Sequence, residues 1–195
     1  MQNRAITSLG FRLAVILTFG LGLSPAGIAQ SAAKKIFALQ DDEHQQWCAF
    51  TTESAWKSRV DALSAIRVAT VEYLDDRPST ISITEEDEAG DWIVYDRYSL
   101  DRRGAIQKLS RTTNVLPGDR SVTEEFLIRN GKANKQATTY KSLSTGTAAV
   151  GPGTARLPDV PVLTSVQPFP LVSLLEKGRS ELLAKGTVCA QIKGL

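Results

Sequence analysis

The chain has 195 residues, 42% hydrophobic and 23% charged, with a formal net charge of +2. That composition suits one folded domain able to bury a core and excludes the disordered, collagen-like and membrane-spanning classes. A single histidine and only two cysteines exclude a two-histidine metal site and a cysteine-built zinc finger within the chain.

At the start, Arg4 and Arg12 precede the apolar run Leu13 to Leu23, which Ser24-Pro25 and Gly27-Ile28-Ala29 follow. At about 1.5 Å per residue the run spans roughly 17 Å, short of a hydrocarbon core of about 30 Å. Residues 1–29 are therefore predicted to be a secretory signal cut after Ala29, leaving no stable membrane span. The expected location is periplasmic or extracellular. Without Arg4 and Arg12, the 23 basic residues fall to 21, equal to the 21 acidic ones. A neutral mature chain has no basic footprint for nucleic acid.

Residues 30–46 are small, polar and charged, and are expected to form a flexible lead-in to a single globular domain over 47–195. Cys48 and Cys189 stand at the two ends of that domain. In an oxidising compartment they are expected to form one disulfide. A Cys48 nucleophile with His44 as its base is the alternative, but nothing around them carries a catalytic signature.

Thr52 is a candidate N-cap with Glu53 in the first turn. Trp56, Val60, Leu63 and Ile66 or Arg67 then make one helical stripe. From Arg67 the period changes to two. Ala69, Val71 and Tyr73 alternate with Val68, Thr70 and Glu72, and Ile81 and Ile83 follow the turn Asp75-Asp76-Arg77-Pro78. Trp92, Val94, Tyr98 and Leu100 alternate with Ile93, Tyr95 and Arg97. Asp101-Arg102-Arg103-Gly104 and Asn130-Gly131 read as hairpin turns. About six consecutive antiparallel strands result, ending near Leu143.

Residues 144–170 hold five prolines and three glycines, which forbid a regular helix or a central strand. Their apolar Val160, Val162, Leu163, Val166 and Phe169 predict an extended arm lying on the domain. Leu171 to Leu183 suggests a short helix, and Thr187 to Ile192 a last strand holding Cys189. The expected fold class is α+β: an N-terminal helix packed on a curved antiparallel meander of about six strands, then the proline-rich arm and a short C-terminal helix and strand.

Chemistry is sparse. Residues 72–96 hold nine acidic residues and one basic, and residues 97–141 hold ten basic and four acidic. Cross-strand pairing of opposite charges accounts for this better than a basic docking face. Glu85-Glu86-Asp87-Glu88 with Asp91 lacks calcium-loop spacing and reads as a solvated hairpin loop. Glu124-Glu125, or Asp96 with Asp101, are the carboxylate pairs available for acid–base hydrolysis, but adjacent strand residues point to opposite faces. Trp92, Tyr95 and Tyr98 form the best aromatic cluster. No catalytic, cofactor-binding or metal-ligating residue is assigned, and neither catalysis nor a cofactor is expected. The leading expectation is an exported non-catalytic domain that binds a protein partner or a small apolar ligand on its sheet. A carboxylate-dependent envelope hydrolase and a purely structural secreted domain are the alternatives.

Overall fold

The computed structural model describes residues 34–41, 46–62, 67–75, 77–166 and 185–191. Nine strands dominate them: β1 (Lys34–Asp41), β2 (Gln46–Phe50), β3 (Arg67–Leu74), β4 (Arg77–Glu86), β5 (Trp92–Leu100), β6 (Ile106–Val115), β7 (Arg120–Arg129), β8 (Lys132–Ser142) and β9 (Thr187–Gln191). The one helix with described bounds is α1 (Glu53–Ala62). The strands form one sheet in the order β8-β7-β6-β5-β4-β3-β1-β2-β9, and every neighbouring pair is antiparallel.

This corrects the expected fold class. Among the described residues the fold is mostly antiparallel sheet with one short helix, and is not an N-terminal helix on a six-strand meander. Part of the segment expected as a lead-in, residues 30–46, is strand. Residues 34–41 form β1, and Phe37, Ala38 and Leu39 are buried. The cause is that β1 and β2 are covered on both sides. Ala38 and Trp47 pack with Ala69 on one face, while Phe37, Leu39, Cys48 and Phe50 pack under Trp56 and Val60 on the other. A strand buried on both faces shows a continuous apolar run instead of alternation. Ile36-Phe37-Ala38-Leu39 and Trp47-Cys48-Ala49-Phe50 are such runs. The expected helix over 171–183, His44 and the cleavage site lie outside the described residues.

Helix α1 is anchored by its N-cap and by one packed edge. The Thr52 hydroxyl accepts the Ala55 N–H at 3.3 Å, capping the first turn. Trp56 packs on Phe37 with ring centroids 5.4 Å apart, and its indole N–H donates to the Ala38 carbonyl at 3.1 Å. Since β2 and β3 both run antiparallel to β1, they are parallel to each other, and α1 is the crossover between them. Arg67, a candidate for the end of the helical stripe, instead opens β3.

From β3 to β8 the two faces separate. One carries the row Ile81, Tyr98, Leu109 and Phe126, directly opposed across four strands. Ile81, Tyr98 and Leu109 are fully buried in the main core cluster with Val71, Ile106 and Ile128. Each such side chain contributes about 1.5–3 kcal/mol on burial. The opposite face carries hydroxyls: those of Thr112 and Thr123 lie 3.1 Å apart, and Ser110 donates to Glu125 at 2.6 Å. The turns follow local chemistry. Asn130 and Gly131 both take positive φ, 52° and 69°, as a two-residue hairpin with the strands' own twist requires. Asp101 accepts the N–H groups of Arg103 and Ala105 at 2.8 and 2.9 Å. These bonds, that of Ala105 first, hold its carboxyl below the ordinary range.

Candidate binding face

The site builds up from the alternation of β5 and β6. Val94, Asp96 and Tyr98 share one face of β5, so a carboxylate sits within an apolar row. Arg111 stands directly opposite Asp96 on β6. Its Nε donates to Asp96 Oδ1 and its Nη2 to Oδ2, both at 2.7 Å. Each side chain is only 7% exposed, and the Tyr98 hydroxyl donates to Asp96 Oδ2 at 3.0 Å.

The rest of the guanidinium is turned away from the sheet. Arg111 Nη1 donates to the Val160 carbonyl at 2.5 Å, and Nη2 to the Pro161 carbonyl at 3.1 Å. Residues 155–164 have no regular secondary structure and cross this face as a strap. The Leu163 N–H donates to the Tyr98 hydroxyl at 3.4 Å. Val162, Leu163 and Val166 pack against the main core cluster. Where the strap begins, Gly118 in the β6–β7 turn sits so close to Ala155 that a Cβ there would lie 2.6 Å from the Ala155 Cβ. Beside that contact is a pocket of about 600 Å3 whose lining includes Trp92, Asp87, Asp91, Val115 and Arg156.

The strap face thus combines an apolar floor with one neutralised cation that presents spare N–H donors. Replacing a buried ion pair by apolar groups of like size is often neutral or stabilising. The apolar row buries surface, while the pair's remaining donors engage the strap carbonyls. Burial depresses the Arg111 guanidinium, but the Asp96 bonds outweigh it and the group is raised. Burial, and then the Asp96 charge, push the Tyr98 phenol well above the ordinary tyrosine value.

That shift has a consequence in alkali. A group whose pKa is raised by folding contributes stability that is complete below its unfolded value, about 10 for tyrosine, and is lost as pH rises beyond it. Tyr98→Phe is expected to cost about 0.5–1.5 kcal/mol at neutral pH through lost hydrogen bonds. Its stability should then fall less steeply than the parent's above about pH 10. Urea unfolding followed by circular dichroism across that range reads both effects, and parallel curves would refute the assignment.

The residues weighed as sites separate as follows. Tyr98 is buried, while Tyr95 is 42% exposed on the opposite face and Trp92 borders the pocket, so the three aromatics form no single platform. Glu124 pairs with Lys135 and Glu125 with Ser110. Asp96 is committed to Arg111, and Asp101 to its own turn, so neither carboxylate pair converges. In the acidic loop, Glu85 pairs with Arg67 at 2.6 Å and Asp87 accepts the Trp92 N–H at 3.0 Å. Part of the charge asymmetry is pairing across strands: Asp96 with Arg111 at 2.7 Å, and Glu72 between Lys35 at 3.9 Å and Arg97 at 3.5 Å. Cys48 and Cys189 oppose each other in the β2–β9 pair and form a disulfide, with Cα atoms 4.0 Å apart. Arg111 escaped the sequence reading. The available signal was its place in the same alternating row as Leu109 and Thr113, opposite an acidic residue in another apolar row.

Comparison with protein-family models, with curated proteins and with solved structures finds no match for this chain. Among the described residues no helix is long and apolar enough to cross a membrane, and no group of three or more His, Cys, Asp or Glu side chains is placed to hold a metal ion.

Proposed function

We propose that the protein is an exported, non-catalytic binding domain whose strap face receives a partner or an apolar ligand. One observation carries this reading: among the described residues, it is an irregular segment, Val160 to Val166, that packs on the apolar floor around Tyr98 and Leu109. A face that holds such a segment through a few discrete contacts is suited to exchanging it. The disulfide suits an oxidising compartment, and the Arg4-to-Ala29 pattern supplies the export signal. The proposed mature chain begins at Gln30.

A variant with a loosened strap tests the reading. Gly118→Ala forces Ala155 away, and Leu163→Asp places a charge where an apolar side chain packs. Overpacking alone costs about 1–3 kcal/mol, and a docking equilibrium shifted by that much changes the uncovered fraction roughly 5- to 150-fold. Protein recovered from the envelope or medium should begin at Gln30. The doubly substituted form should take up the neutral dye N-phenyl-1-naphthylamine saturably, well above the parent. A folded, disulfide-bonded variant with no saturable uptake would refute the binding reading, and a chain starting at Met1 would refute export.

A further inference from the structure

The contacts under the strap specify more than an apolar surface. Arg111 addresses two successive main-chain carbonyls, those of Val160 and Pro161. Tyr98 accepts a main-chain N–H two residues further on, at Leu163. All three hydrogen bonds use backbone groups, so they read the path of a chain more than its side chains. Pro161, exposed beside Arg111, brings no N–H of its own to this stretch of chain. The Asp96 carboxylate already neutralises Arg111, so an anionic ligand would meet Asp96 as well as Arg111. A neutral carbonyl fits that electrostatic arrangement better.

We propose that the strap is the resident occupant of a peptide-recognition groove, whose partner is an extended, proline-bearing apolar segment of another polypeptide. This rests on the reading of the strap face as a binding face. The partner would lay consecutive carbonyls on Arg111, an N–H on Tyr98, and apolar side chains where Val162 and Leu163 now pack. The strap, tethered to the same chain, competes at a high effective concentration. Apparent affinity in the parent is therefore reduced by the fraction of molecules whose groove is covered. Only a segment that matches both the carbonyl spacing and the apolar floor displaces it.

The test uses the full chain carrying Gly118→Ala and Leu163→Asp, with a fluorescent synthetic peptide of residues 157–166, Leu-Pro-Asp-Val-Pro-Val-Leu-Thr-Ser-Val. Anisotropy should show saturable binding, and a shuffled peptide of the same composition should bind roughly tenfold more weakly or worse. Adding Asp96→Leu with Arg111→Met removes the donors without orphaning a charge. It should weaken the ordered peptide by about tenfold or more and remove its advantage over the shuffled one. Dye uptake without peptide binding would overturn this proposal and spare the binding face, whereas loss of both would overturn the two together. Equal binding of ordered and shuffled peptides would also overturn it. A dimer of the loosened chain on size exclusion that peptide does not dissociate would do the same, assigning the groove to a second copy's strap. Should the doubly substituted chain not fold, Gly118→Ala alone is titrated with the same two peptides, and the same preference is required of it.

Discussion

Cys48→Ser and Cys189→Ser should each destabilise the domain by several kcal/mol, with about 5 kcal/mol as the ceiling from chain entropy. The bond spans 141 residues of sequence, and a long closed loop is where a cross-link removes most freedom from the unfolded chain. The two substitutions should not be equal. Cys48 is buried among Phe37, Leu39 and Phe50, so a serine there leaves a hydroxyl among apolar groups at a further cost of about 1–3 kcal/mol. Cys189 is exposed on β9, where a serine hydroxyl reaches water. Urea unfolding of both variants should rank Cys48→Ser as the less stable, and mass spectrometry of the parent without reductant should find one intramolecular bond. Equal losses, or free thiols in the parent, would contradict the arrangement.

The second large effect lies at the ion pair under the strap. Arg111→Met alone should cost about 3–5 kcal/mol, because it leaves the Asp96 carboxylate buried without its cation. Asp96→Leu together with Arg111→Met should recover most of that loss, since neither charge is then stranded. The coupling energy from the four-member cycle is the measurement. Losses that simply add would mean that the two side chains do not act as one unit.

Several features could be read directly from residue types. With only two cysteines in the sequence, the Cys48–Cys189 bond has no competitor. Asn130-Gly131 marks its turn because few other residues accept positive φ at both positions. The first two strands were hidden for the opposite reason: Ile36 to Leu39 and Trp47 to Phe50 are apolar throughout, and a four-residue apolar run has no period by which to tell a strand from anything else. Polar residues around β1 made it resemble a mobile leader. The strap face was legible only in part. Asp96 in the row of Val94 and Tyr98 announces a buried charge, and Arg111 opposite it announces the partner. Nothing in the side chains of Val160 and Pro161 foretells that their carbonyls meet that arginine, because every residue has a carbonyl. Such contacts are set by the path of the chain over the sheet.

The sheet order also governs when the molecule can close. From β3 to β8 each strand pairs with the next in sequence, so these hairpins assemble from short loops as the chain is made. The β2–β9 pair must wait. Cys48 leaves the ribosome 141 residues before its partner, and non-local pairings of this kind are slow to form. During that interval Cys48 is a free thiol on an open edge, exposed to mispairing with another chain. Alkylation of ribosome-bound chains should therefore capture Cys48 reduced, while a completed, oxidised chain resists the reagent. Pairing of β2 with β9 makes the disulfide a record that synthesis has run past Cys189.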